Sequence, residues 1–364
     1  MGEGGALKKE PRLSVERRFL LYEAMLRQRR FDTLMMRAQR QGRIGFHLGS
    51  EGEEAAILGV AEALHDDDYL VPCYREAAAL FHRGFPMEAF LDQAIGNAHD
   101  LNRGRQMPVH FCSIEHRCLS VSAPIGTQIP HAAGLAYAAK LRGEAVAVAV
   151  FFGDGATSSQ GFHEGMTLAA SLKAPVVFFC RNNGYAISLP VKEQCRAESL
   201  ADKAQGYGIP AYRVDGDDLL AVHYRASLAL DEAREEGRPI FVELLTYRRG
   251  AHSSSDDPRR YRDEEPPRDP IQRLRDHLFT LEAFYEEAIS RRIEAFDREL
   301  RVMLRQAEAK AAPPLESILE GVYAKPTRAA LRQLEELQAA KRLERASLGS
   351  RAIPSEGDPH DEAR

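Results

Sequence analysis

Residues 145–184, AVAVAVFFGDGATSSQGFHEGMTLAASLKAPVVFFCRNNG, decide the fold. Two apolar runs, 146–152 and 176–180, do not alternate with polar residues, the pattern of strands covered on both faces. Between them residues 162–172 carry helical spacing that stops at Lys173 and Pro175. Strand, helix and strand in that order predict a parallel pair. Each strand runs into a turn, Gly153-Asp154-Gly155 after the first and Asn182-Asn183-Gly184 after the second. The carboxyl ends of neighbouring strands are where open α/β sheets hold their ligands. The 26 residues of 156–181 suffice for one crossover helix and one strand.

The same alternation continues on both sides. Upstream, Ser14 can cap a helix carrying Leu20, Leu21, Met25 and Leu26, with Gly42 as its stop. Helices are expected over 53–64, 76–81 and from Thr127 to 141, with a short strand over 69–73. Downstream, a strand at 212–214, a turn at Asp215-Gly216, a helix over 219–236 closed by Gly237 and a strand over 240–245 complete the pattern. The fold class is α/β, a mainly parallel sheet flanked by helices, with helical extensions at both ends. The expected divisions are an N-terminal arm and helix (1–45), the α/β domain (46–270), a C-terminal helical segment (271–346) and a disordered tail (347–364). Helical spacing in the C-terminal segment covers 271–304 and 327–346. Within the α/β domain, HSSSDDPRRYRDEEPPRDP at 252–270 is polar and proline-broken, so 250–269 is expected as a long exposed loop, functional or disordered.

The 364 residues, 44% apolar and 28% charged, match an ordinary soluble globular chain of roughly two domains, or one large domain with appendages. Lys and Arg (49) fall short of Asp and Glu (54), a net charge of -5, which argues against nucleic acid or an anionic membrane as partner. The longest wholly apolar run, eight residues at 145–152, is far below the about 20 that a spanning helix needs. Glu3, Glu10 and Glu16 stand among Lys8, Lys9, Arg12, Arg17 and Arg18 in the first twenty residues, unlike a signal core or a transit segment, so the cytosol is the expected location. Five cysteines, none in a C-x-x-C pair, read as reduced thiols.

The chemistry concentrates in the two turns. Asp154 offers an anionic oxygen, Asn183 a neutral amide oxygen, and a backbone carbonyl near Tyr185 a third, a set that suits Mg²⁺ completed by water and phosphate. Glycines permit close backbone approach, amides at the start of the following helix can face phosphate, and Arg75 and Arg181 are candidate bidentate clamps. Two ligand-free turns are the plain alternative. G-x-G-x-x-G fails because Ala156, Thr157 and Ser158 follow Gly155, and G-x-x-x-x-G-K-[ST] is missing. His110, Cys112, His116 and Cys118 lie close in sequence but lack the usual zinc couples.

The G-D-G-x26-N-N arrangement resembles the thiamine diphosphate signature. Its surroundings resemble alpha subunits of branched-chain 2-oxo acid dehydrogenases from about residue 20 to 340: YREAAAL from Tyr74, GRQMPVHF from Gly104, TQIPHAAGLAYAAK from Thr127, FFCRNNGYAIS from Phe178, YGIPAYRVDGDD from Tyr207 and TYRRGAHSSSDDPRRYR from Thr246. The resemblance implies a thiamine diphosphate-binding fold. Asp154, Asn183 and the Tyr185 carbonyl would hold Mg²⁺, and Arg75 and Arg181 the diphosphate. Tyr74, Ile125, Gly153, Gly155 and Ala156 would line the cofactor site. His252 would position cofactor and intermediates and act in acyl transfer, and His110 would be a loop residue near the cofactor. Ser122, Pro124, Thr127 and Gln128 match a K⁺ site, and a capped helix start explains them equally.

The implied reaction is oxidative decarboxylation of a branched-chain 2-oxo acid, with acyl transfer to the lipoyl arm of a dihydrolipoyl acyltransferase. The carboxylate that activates the cofactor ring would come from a separate beta subunit, in an α2β2 assembly. Ser253 to Ser255 beside Asp256 and Asp257 resemble a regulatory phosphorylation loop, or are simply a solvated acidic loop. Asp154 stands where close relatives carry Glu. Cys73 replaces Gln, Ala123 Ser and Ala251 His, which bears on substrate preference. The same chemistry on pyruvate or acetoin, and a non-catalytic assembly paralogue, are the alternatives.

Overall fold

Five strands form one parallel sheet: β1 (Tyr69–Val71), β2 (Val148–Gly153), β3 (Val176–Asn182), β6 (Ala211–Asp215) and β7 (Ile240–Leu245), in the order β1-β2-β3-β7-β6. A two-stranded antiparallel ribbon, β4 (Tyr185–Ala186) with β5 (Leu189–Pro190), follows β3. The structure is a computed structural model that describes residues 13–262, 269–281 and 286–349.

The central strands are buried on both faces, and their alternation divides the core in two. Ala147, Ala149, Phe151, Val177, Phe179 and Val242 pack into the layer built by α1 (Val15–Arg40), α2 (Glu54–Ala63), α3 (Ala77–His82), α4 (Met87–Ile95) and α9 (Leu219–Glu236). Val148, Val150, Phe152, Val176, Phe178 and Phe241 pack against α5 (Gln128–Leu141), α6 (Gln160–Leu172) and α8 (Leu200–Gln205). A four-residue helix, α7 (Val191–Gln194), lies between β5 and α8. The unbroken apolar runs therefore have the cause expected of them.

Local chemistry sets the helix ends. Ser14 Oγ accepts from Arg17 N at 3.1 Å and starts α1. Asp218 accepts from the N–H groups of Leu220 and Ala221, and Gly237 closes α9 in the left-handed region (φ 59°). Ser159 caps α6, which begins at Gln160, two residues before the expected start. A 3-10 turn, Asp154–Ser158, separates this helix from β2, so the helix does not follow the Gly-Asp-Gly turn directly. The helix α4 was not expected. Its buried positions include Asp92, which takes Lys310, and Gln93, which bonds Met107 O and Val109 N, and these polar groups disguise the amphipathic period.

The compact unit continues through Lys310 rather than dividing at 270, because α10 (Pro270–Phe279) and α11 (Glu286–Ala309) send Ile271, Leu274, Ile293, Phe296 and Leu300 into the core shared with α1. The helical spacing expected over 271–304 is thus two helices, with 282–285 outside the described residues. The second unit, from Ala311, holds a 3-10 turn (Leu315–Leu319) and α12 (Arg328–Gly349), joined by Gln338 Nε2 donating to Glu316 at 2.6 Å. The helix reaches three residues into the stretch expected as a disordered tail, and 350–364 lie outside the described residues. Among the described residues no helix is long and apolar enough to cross a membrane.

Candidate active site

Parallel register places Gly153 at the end of β2 beside Arg181 of β3, so the two turns emerge side by side. They form one wall of a cavity of about 380 Å³, within the range of small-ligand sites. Tyr74, Arg75, Ile125, Gly153, Asp154, Gly155, Ala156, Arg181, Asn183, Tyr185 and His252 all line it. So do Glu53, Cys73, Ala186 and Ile187. A Cβ on Gly155 would lie 2.6 Å from Ala186 Cβ, so glycine is what lets the β2 turn sit against the ribbon. Another cavity of similar size lies beside α1, but its charges are paired: Arg17 with Glu62, and Glu23 with Arg27 and Arg292.

The carboxylate of Asp154 is 1% exposed. Among the described residues it accepts only from neutral donors, Gln194 Nε2 at 3.3 Å and the backbone N–H groups of Asp154 and Asn183, and burial raises its pKa to about 6. A buried carboxylate without a cationic partner, in one cavity with an Asn amide, is a donor set that fits a divalent cation. Arg181 is buried between two carboxylates, Nη1 on Glu53 and Nη2 on Glu76, while its Nε has no hydrogen-bond partner among the described residues. Burial opposes the charge on Glu53, yet Arg181 and Arg75 outweigh it and hold its carboxyl below the usual range.

Residues 248–262 depart from the expected exposed loop. Arg248, 2% exposed, donates to His252 Nδ1 (2.9 Å), Tyr261 Oη (2.8 Å) and the Ile187 carbonyl (3.2 Å). Arg75 also reaches His252, at Nδ1 (3.1 Å) and at its carbonyl (2.7 Å). Asp256 accepts from His252 N and Tyr261 Oη, each at 2.6 Å. Buried cations recruit acceptors from the polar segment, and that is why it folds inward. Burial, then the Arg75 and Arg248 charges, push the His252 pKa down to about 3. Ile187 holds φ 57°, unusual for a β-branched residue, at this same cavity wall. Residues 263–268 of the expected loop lie outside the described residues.

Ser122, Pro124 and Thr127 converge: Thr127 Oγ1 lies 3.0 Å from Ser122 Oγ and donates to the Pro124 carbonyl at 2.5 Å. Thr127 makes no capping bond to α5, contrary to the capped-start reading: its backbone is already helical (φ -61°, ψ -30°) rather than extended, as a side-chain cap requires. Gln128 Nε2 anchors α5 to the Phe151 carbonyl at 3.0 Å. His110 does not line the cavity. It is buried, with Nδ1 3.1 Å from the Pro108 carbonyl. His116 turns to Ser113 Oγ at 2.7 Å. Cys73 is in the cavity wall with its thiol pushed up to about 12 by burial, so it is neutral. Ala123 is exposed, and Ala251 lines a separate cavity near the end of α1. Ser253 Oγ accepts from Ser255 N at 3.3 Å.

Sequence reasoning missed Glu53, Glu76, Gln194 and Arg248. The usable signal was Glu53-Glu54 directly before the unbroken apolar run 55–61, since carboxylates entering a core require cations.

The profile of the Dehydrogenase E1 component family matches residues 22–316. The 2-oxoisovalerate dehydrogenase subunit alpha, mitochondrial, of Homo sapiens is 41% identical over 320 residues, 86% of this chain and 72% of the relative. The protein of the same name from Dictyostelium discoideum is 40% identical over 348 residues, 93% of this chain and 79% of the relative. The subunit alpha 1 of Arabidopsis thaliana is 41% identical over 309 residues, 83% of this chain and 66% of the relative. With matches that run from α1 through the cavity-forming loops and beyond, the chain belongs to the dehydrogenase E1 component family.

Proposed function

We propose that this chain is the alpha subunit of a thiamine diphosphate-dependent dehydrogenase that oxidatively decarboxylates branched-chain 2-oxo acids and passes the acyl group to a lipoyl-bearing acyltransferase. The observation that carries the reading is the cavity at the strand ends. There Asp154, buried and without a cationic partner among the described residues, lines one wall with Asn183 and Tyr185 beside Arg75 and Arg181. Similarity to 2-oxoisovalerate dehydrogenase alpha subunits supports the branched-chain substrate over pyruvate or acetoin.

Asp154, Asn183 and the Tyr185 carbonyl would hold Mg²⁺, and Arg75 and Arg181 the diphosphate. When bound, the cofactor supplies a nucleophilic carbon and an electron sink for the decarboxylation. His252 receives two guanidinium groups at Nδ1, so its proton sits at Nε2 and it serves as a neutral donor to substrate or acyl oxygen. Tyr74 meets His252 edge to face, with ring centroids 6.1 Å apart, and Arg75 lies over the Tyr74 ring. The convergence of Ser122, Pro124 and Thr127 oxygens supports a K⁺ site.

The carboxylates lining the cavity are Glu53 and Asp154, both committed, the first to Arg181 and Asn183 and the second to the metal set. This supports a beta subunit as source of the carboxylate that activates the cofactor ring, in an α2β2 assembly. Ile125 and Ile187 line the cavity yet stay 53% and 51% exposed, which supports a protein partner over this face. The five cysteines are free thiols, in keeping with the cytosolic location we also propose.

Alpha and beta chains mixed and assayed with 3-methyl-2-oxobutanoate and with pyruvate test the substrate. The expected result is higher kcat/KM on the branched acid, and the reverse order overturns that choice. An assembled complex that shows no Mg²⁺-dependent thiamine diphosphate binding by calorimetry would point to a scaffold.

A further inference from the structure

Four residues from three distant stretches of the chain meet at the cavity wall: Glu53, Glu76, and Arg181 with Asn183. Glu53, 1% exposed, ends the segment before α2, and its Oε1 accepts from Asn183 Nδ2 at 2.8 Å while Oε2 takes Arg181 Nη1. Glu76 takes the other arm of Arg181, and its Oε2 is itself held by Cys73 N (2.8 Å) and Arg75 N (3.1 Å).

We infer that Glu53 is a positioning residue for the cofactor site: it fixes which face of the Asn183 amide meets the metal and where the Arg181 guanidinium points. The inference rests on the thiamine diphosphate reading above. An asparagine amide can turn over at almost no steric cost, exchanging its oxygen for an NH₂ that a cation repels. A carboxylate only accepts, so Glu53 demands the NH₂ of Asn183 and leaves Oδ1 on the opposite side. There Oδ1 receives Tyr185 N at 3.3 Å and keeps lone-pair capacity. The same carboxylate, with Glu76, clamps both terminal nitrogens of Arg181, so its fork cannot swing. One buried group thus aligns a metal ligand and a phosphate donor together.

Charge alone makes a different set of predictions. Through its field only, Glu53→Gln would weaken Mg²⁺ binding and tighten the diphosphate, and Glu53→Asp, which keeps the charge, would leave both unchanged. Positioning predicts a loss, since supporting residues of this kind are worth roughly 10- to 100-fold in metal affinity.

The test is calorimetry of Mg²⁺ and thiamine diphosphate binding to the assembled alpha–beta complex, with assembly and circular dichroism checked for each variant. Glu53→Gln should raise the Mg²⁺ concentration for half-saturation by roughly tenfold or more. Glu53→Asp keeps the charge but loses the reach, so it should show the same defect even where Glu53→Gln fails to assemble. Glu76→Gln touches Arg181 and not Asn183, so it should weaken cofactor affinity and leave the Mg²⁺ dependence as in the wild type. Wild-type or tighter binding by Glu53→Gln, or an unchanged Mg²⁺ dependence in Glu53→Asp, overturns the inference. A wild-type complex that binds no cofactor overturns the functional reading along with it.

Discussion

His252 shows how a residue's surroundings choose its chemistry. Two guanidinium groups bond the same ring nitrogen, so protonation there would set three cations against one another. With a pKa of about 3 the imidazole stays neutral throughout the working range. Its Cε1–H resonance should be flat between about pH 8 and about pH 5, and Arg248→Met should bring the midpoint back toward the ordinary 6.5. A wild-type midpoint near 6.5 would contradict the arrangement. At the metal, Asn183→Ala should abolish Mg²⁺-dependent cofactor binding with the circular dichroism unchanged, and normal activity would refute the ligand assignment. Asp154 and Asn183 were legible because each follows an unmistakable strand. Glu53 and Arg248 were not, because what makes them matter is a contact with residues 130 and four positions away that only the folded chain supplies.

The helix α2 illustrates the element scale. It is apolar almost all round and buried, and it crosses α9 so closely that a Cβ on Gly59 would lie 2.7 Å from Val222 Cγ1 and 3.1 Å from the Leu219 carbonyl. Gly59→Ala should therefore cost about 1–3 kcal/mol in chemical denaturation, despite alanine's better helix propensity. Val222→Ala in the same chain removes the Cγ1 contact but leaves Val222 Cβ at 2.9 Å and the Leu219 carbonyl, so it should recover only part of the loss. The helix itself was plain in the sequence, and so were α9, β3 and β7, whose apolar runs and caps agree with their surroundings. The helix α4 was hidden by its buried Asp92 and Gln93, and the order in 248–262 by its charges, because polar residues normally mark the surface and here they bond one another.

At the scale of the whole molecule, the first three helices of one covering layer are tied to one another by ion pairs whose worth depends on pH. Glu62 of α2 binds Arg17 of α1 at 2.5 and 2.6 Å and His82 of α3 at 2.8 Å. Burial opposes its charge, but the bonds from His82 and Arg17 win and lower its pKa from 4.5 to about 2. The contribution is therefore whole above pH 4.5 and fades as pH falls through 2. Glu62→Gln should flatten that part of the acid-unfolding curve, and an unchanged curve would show the trio to be idle. The parallel α/β plan was legible throughout, because each β2 and β3 side chain must suit one of two buried layers.

That strict two-layer assignment has a further consequence for how such a chain can change. Deleting a single residue within β2 would send every side chain beyond it to the wrong layer and turn Asp154 away from its neighbours, whereas an insertion in a connection at the opposite end of the strands from the cavity leaves both layers and the site in register. Gains and losses of length can accumulate in those connections, while the strands must keep count.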